Sequence, residues 1–267
     1  MKPLDEKLHQ SIHKKMLDQD YSTILSNPRL RLFKFFERKF CAIKGTVLDV
    51  GAGSGYASIY LALNHSIKKA LALESSIVAT SELIPKNVKQ YKVGQKVFPL
   101  LGSFSDFSID EKVDFVFSFG SLHHSDCLFT TFQTIGRNMK AGSYLLAQEP
   151  VMKNKTSNKE YFSKYECEEE RYGIKMKNGE RNDRFYREAE YIAAACFSGF
   201  DLVYQGGFNN FSLKEFLIFL KNKILLPSSK TNKNKLEYYT RKVRPTVWVF
   251  RKHDNEIPIA HLWNPLK

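Results

Sequence analysis

From Thr46 onward the chain alternates short, wholly apolar runs with stretches whose apolar residues recur every three or four positions. The runs "TVLDV" (46–50), "KALALE" (69–74), "KVFPLLG" (96–102), "VDFVFSFG" (113–120) and "AGSYLLAQEP" (141–150) have the length and apolar density of strands buried on both faces. Helices are predicted between them over "GYASIYLALN", over 78–89 and over "TFQTIGRNM" (131–139). Such alternation predicts an α/β fold, a parallel sheet covered by helices on both sides. Upstream, Leu30, Phe33, Phe36 and Phe40 form one apolar stripe, so residues 1–44 read as a helical cap.

Past the fifth strand the pattern changes. Residues 151–190 are polar, charged and poor in aliphatics, and read as a lid or insertion. A helix is predicted over 187–200, with Ile192, Ala195 and Cys196 inward and Gly199 at its end. Then come a strand at 201–207, a helix at 212–226, a basic loop at 227–235 and a last strand at 246–252. Two late strands with a long connection fit an antiparallel edge on a parallel sheet. The expected organisation is a cap (1–44), a core (45–150), an insertion (151–190) and a C-terminal part of the same fold (191–267).

The glycines at the first strand's end change the picture from fold to site. "DVGAGSG" spaces them at Gly51, Gly53 and Gly55, where a sharp backbone turn lets a ligand approach closely. A dinucleotide fingerprint would need glycine where Tyr56 stands, and no Gly-Lys-Ser/Thr completes a phosphate loop. Asp49, just before the glycines, disfavours a pyrophosphate and suits a cationic ammonium or sulfonium. Glu74, closing the second strand, can accept from both hydroxyls of an unphosphorylated ribose. A positively charged amino acid joined to adenosine, S-adenosylmethionine (SAM), matches both acids.

With these residues in register, the chain resembles the class I SAM-dependent methyltransferases, in the branch that includes the ubiquinone and menaquinone enzymes. The resemblance rests on "VLDVGAGSGYAS", "LALESS", "DFVFSFGSLHHS" and "IGRNMKAGSYLLAQEP". It implies a Rossmann-like, seven-stranded, mostly parallel sheet with an antiparallel last strand. It also implies that Gly51, Ala52, Gly53 and Gly55 bend under the methionine part with Asp49 in support. Glu74 and Ser75 would hold the ribose, and Tyr56, Ser118 and Phe119 would line the same crevice. The family's acid after the third strand is replaced by Ser103, so Ser103, Phe104 or Asp106 would meet the adenine.

Methyl transfer from a sulfonium is a displacement needing alignment and exclusion of water, and a hydroxyl acceptor also benefits from a base. His123 and His124, after the fourth strand, and Glu149, at the fifth strand's end, are the candidates. In 170–191, Arg171, Tyr172, Arg184, Tyr186 and Arg187 suit an anionic, glycan- or nucleotide-linked acceptor, or else a salt-bridged surface with the acids of "ECEEE". No metal site is expected: the four cysteines form no CxxC pair, and His9 and His13 have no third ligand nearby.

Charge adds one question. The chain of 267 residues has a net charge of +13, and 206–252 alone holds 11 Lys/Arg against 2 Asp/Glu. Such a segment fits an anionic acceptor, a lipid surface met by 212–235, or simple solubility. The N-terminus has no apolar signal segment, so a cytoplasmic protein is expected, with peripheral contact at the inner face of a membrane as an option. The reading is a methyltransferase acting at oxygen on a small or carrier-linked anionic acceptor. The alternatives are an RNA methyltransferase, although no RNA-type motif supports nucleic acid as a partner, and a non-catalytic SAM-binding protein.

Overall fold

The computed structural model describes residues 13–18, 24–152, 186–207 and 243–253. The described chain runs α1 (Arg31–Lys39), β1 (Gly45–Val50), α2 (Tyr56–Asn64), β2 (Ile67–Glu74), α3 (Ile84–Gln90), β3 (Val97–Leu101) and β4 (Val113–Phe119). It continues with α4 (Leu128–Arg137), β5 (Met139–Met152), α5 (Glu188–Phe197), β6 (Phe200–Gly207) and β7 (Val243–Lys252). The strands form one sheet in the order β3-β2-β1-β4-β5-β7-β6. The pairs among β1 to β5 are parallel, and β7 lies antiparallel between β5 and β6.

Strand periodicity divides the core cleanly. Val47, Phe115, Phe117, Leu146, Val247 and Val249 face one side, against Phe33 and Phe36 of α1 and Ile59 and Leu61 of α2. Their neighbours Leu48, Val50, Val116, Leu145, Ala147, Trp248 and Phe250 face the other, against Phe132 and Ile135 of α4 and Tyr191 and Ala195 of α5. The stripe read from 30–40 is therefore a core face: Leu30, Phe33 and Phe36 are buried, and Phe40 packs partly against Tyr144.

Several predicted bounds shift for physical reasons. The third helix starts as a π-helical turn, Ala79–Leu83, and becomes α-helical at Ile84, where Pro85 has no N–H to give. The helix expected at 131–139 runs instead from Leu128 to Arg137, because its inward stripe is Leu128, Phe132 and Ile135, and Met139 already pairs with Val113. In α5 the inward face is Tyr191, Ala194 and Ala195, one step round from the expected one. Cys196 points to solvent, and the Tyr191 ring packs 4.9 Å from Trp248. Gly199 does end α5, at φ +82°. The helix and basic loop expected at 212–235 lie outside the described residues. Among the described residues no helix is long and apolar enough to cross a membrane.

Candidate functional site: the crevice at the carboxyl ends of the parallel strands

Strand order reverses between β1 and β4, which opens a crevice at their carboxyl ends. The glycine loop forms its floor and is stitched to β2. The N–H groups of Gly51 and Ala52 both donate to Leu73 O, at 3.0 and 2.9 Å, and Gly55 N donates to Ala52 O at 2.8 Å. Gly51, Gly53 and Gly55 all have positive φ. A Cβ on Gly51 would lie 2.3 Å from Ser121 Cβ, so the two walls of the crevice touch there, whereas a Cβ on Gly53 would meet nothing within 4 Å. The loop is thus closed below and open above, which is room for a ligand lying across Gly53.

Glu74 connects the loop to the end of β2. Its Oε2 accepts from Gly53 N at 2.9 Å, and its Oε1 accepts from Ser75 N at 2.8 Å and Ser76 N at 3.2 Å. Ser75 Oγ adds a longer contact at 3.3 Å. These donors orient the carboxylate, and Oε2, with one partner, keeps acceptor capacity for a hydroxyl. Asp49 is buried behind the loop and accepts from Ser58 Oγ of α2 at 2.8 Å. Burial pushes its carboxyl up to about 7, with the nearby Glu74 charge adding to the shift and the Ser58 hydrogen bond opposing it. A buried acid held near neutrality, with a second acid close by, is a place where a cation is favoured.

On the β4 side a polar network replaces the apolar core. Ser121 Oγ donates to Val50 O at 2.6 Å, and Ser118 Oγ lies 2.5 Å from Ser121 Oγ. Glu149, with no exposed surface, accepts on Oε1 from Ser121 N and Leu122 N, each at 2.9 Å. Its Oε2 lies 2.7 Å from His123 Nδ1. Glu149 therefore shapes the turn after β4 and orients His123, and any effect of Glu149 on an acceptor is relayed through that ring. It does not end the strand either, since β5 continues to Met152. The His124 ring lies against that of His123, tilted by 39° with ring centres 4.0 Å apart, and is the more exposed of the two.

The remaining expected contacts fall on different parts of the crevice. Tyr56 opens α2 beside the loop, and burial pushes its phenol up to about 12 against the pull of the Arg29 guanidinium. Phe104 brings its ring tip to Gly51, within 3.2 Å of where a Cβ would be, so its ring lies at the glycine loop. Ser103 is exposed at the end of β3, in a small turn bridged to Asp106. Phe119 turns its side chain into the core against Phe33 and offers the crevice only its backbone. Tyr186 donates its hydroxyl to Ser125 O at 2.6 Å, and Arg187 N donates to Glu190 Oε2 at 2.6 Å to cap α5. Arg171, Tyr172 and Arg184 lie outside the described residues.

One rim residue is absent from the sequence-based set. Arg29, in the 3₁₀ turn Pro28–Leu30, reaches Phe119 O with Nη1 at 3.3 Å. Its only sequence signal is the Asn-Pro pair at 27–28, a turn start just before the apolar stripe of α1.

Residues 48–147 match the family model described as a methyltransferase domain. No curated protein matches the chain in sequence. Among solved structures, a candidate sarcosine dimethylglycine methyltransferase from Galdieria sulphuraria is 16% identical, with TM-score 0.64 over 90% of this chain and 91% of that one. Geranyl diphosphate C-methyltransferase from Streptomyces coelicolor A3(2), solved with S-adenosyl-L-homocysteine, is 12% identical, with TM-score 0.63 over 83% and 78%. The cyclase SpnF is 13% identical, with TM-score 0.65 over 93% and 94%. At these identities the likeness is one of fold. The domain match and the loop geometry together assign SAM as the cofactor: an open space over Gly53, an oriented Glu74 and a buried Asp49 suit a nucleoside carrying a cationic amino acid.

Proposed function

We propose, from the premise that residues 48–147 are a class I SAM-dependent methyltransferase domain, that the chain methylates a hydroxyl oxygen of a small or carrier-linked anionic acceptor. His123 is the base in this reading. The observation that carries it is the His123–Glu149 pair at 2.7 Å, with Glu149 buried and held by two backbone N–H groups.

A carboxylate accepts, so Nδ1 of His123 carries the proton toward Glu149 and Nε2 is the ring's basic atom. Such an arrangement fixes the tautomer and stabilises the imidazolium formed when a hydroxyl proton is taken. SAM supplies an electrophilic methyl carbon on a sulfonium. The chain's part is to hold the acceptor oxygen in line with that carbon and to remove its proton. Ser121 links the two halves, since its hydroxyl holds Val50 O beside the glycine loop while its N–H holds Glu149. The anionic character of the acceptor rests on the basic segment 206–252 and on the arginines of 171–187.

The test is incubation with methyl-labelled SAM and a metabolite and glycolipid extract, with mass spectrometry of the product. A methyl ether is expected, and a methyl group found on carbon, on nitrogen or on a carboxylate or phosphate oxygen would refute the hydroxyl assignment. His123→Ala should lower kcat by about 10²- to 10⁴-fold while S-adenosylhomocysteine affinity is kept. Full activity in that variant would remove the base role.

A further inference from the structure

We infer that Arg29, carried by the N-terminal segment and not by the sheet, is the residue that binds the carboxylate of the cofactor's amino-acid part. This rests on the assignment of SAM to the crevice.

The case begins with what the rim lacks. In a chain of net charge +13, the stretches that build the crevice contain no lysine or arginine: 46–66, 70–85, 97–111, 113–136 and 141–152. They contribute three buried acids, Asp49, Glu74 and Glu149. These suit the ammonium, sulfonium and ribose of the ligand, but its carboxylate would meet only repulsion from them. A cation for that group must come from elsewhere in the chain.

Arg29 arrives at that place by construction. Asn27 caps the turn by accepting from Arg29 N at 3.0 Å, and Leu30 is buried beside it, so the backbone of Arg29 is fixed. The side chain then crosses to the end of β4. A Cβ on Gly120 would lie 2.9 Å from Arg29 Nη2 and 3.2 Å from Cζ, so the guanidinium lies against a residue with no side chain. Gly120 is followed by Ser121, which itself closes on Gly51. The guanidinium therefore stands next to the glycine loop, where the amino-acid part of the ligand is expected. One N–H is spent on Phe119 O, and the fork has others for a carboxylate. The charge is felt inside the crevice, where it pulls on the Tyr56 phenol.

The test compares two ligands by calorimetry. S-adenosylhomocysteine has the carboxylate, whereas S-adenosyl-3-thiopropylamine keeps the adenosine and the amine but has no carboxyl group. The wild-type chain should prefer the first by about ten- to a hundredfold. Arg29→Gln should abolish that preference while affinity for the second ligand stays within about twofold. Arg29→Lys, which keeps the charge but not the fork, should fall between, and serves alone if the glutamine variant does not fold. An unchanged preference ratio in either variant, or equal losses for both ligands, would overturn the inference. A wild-type chain that binds neither ligand would overturn the cofactor assignment, and this inference with it.

Discussion

Replacing Asp49 with asparagine should make the protein more stable and a poorer binder of SAM at the same time. Asp49 is buried, and its carboxyl is pushed up from 3.8 to about 7. Between those values the folded chain holds a proton that the unfolded chain has released. Stability is therefore full at acid pH, falls as pH rises and levels off above about 7. One proton's difference between the two states changes stability by about 1.36 kcal/mol for each step of one in pH. Ionising this one group therefore removes about 2–3 kcal/mol of stability between about pH 5 and pH 8. The asparagine would keep an oxygen for the Ser58 hydroxyl and carry no charge. Denaturant melts of wild type and Asp49→Asn at several pH values isolate the difference. The variant should gain about 2–3 kcal/mol relative to wild type on going from about pH 5 to pH 8. The same carboxylate should serve the ligand's cation. Wild-type affinity for SAM should rise with pH up to about 7, and the variant should bind more weakly with a flatter profile. Parallel stability curves for the two proteins would refute the argument, because they would mean that Asp49 is not the group titrating in the fold.

Gly53→Arg should abolish SAM binding and lower the melting temperature by a few degrees, since the side chain enters open space but arginine must hold φ +54°; calorimetry checks the binding, and unchanged affinity would remove the ligand from the loop. Glu74→Ala should weaken SAM by about 1–3 kcal/mol through lost charged hydrogen bonds, and a change below a few tenths would place the ribose elsewhere.

The parts of the site legible in the sequence are those whose side chains and backbone act where they stand. The glycine spacing, Asp49 at the end of β1 and Glu74 at the end of β2 are readable because strand ends and loop turns are local events. The fold is readable for the same reason, since wholly apolar runs separated by helical periods leave few arrangements other than a covered parallel sheet. What is not readable depends on contacts between distant segments. The pairing of His123 with Glu149 joins residues 26 positions apart, and only the register of β4 on β5 brings them together. Arg29 lies 90 positions from the carbonyl it reaches. Cys196 falls on the outer face, against expectation, because an Ala-rich helix offers two faces of similar apolarity. The choice between them is made by Tyr191 fitting against Trp248.

The length of β5 has a consequence for how this protein could change over evolutionary time. β4 stops at Phe119, paired with Gln148, but β5 and β7 stay paired as far as Met152 and Val243. Met152 N is also tied to Tyr186 O at 3.0 Å. The ends of the connection between β5 and α5 are thus joined at their base, on the rim that carries the crevice. The connection between β6 and β7 departs and returns on that same rim, because Gly207 pairs with Thr246, a few residues after β7 begins at Val243. Both connections can thus be exchanged at paired anchor points, with the described strands keeping their partners. If the arginines of 171–187 meet the acceptor, as proposed, acceptor choice can drift while the strands keep their pairing, and a chimera that swaps only residues 153–185 should keep the sheet while changing what it modifies.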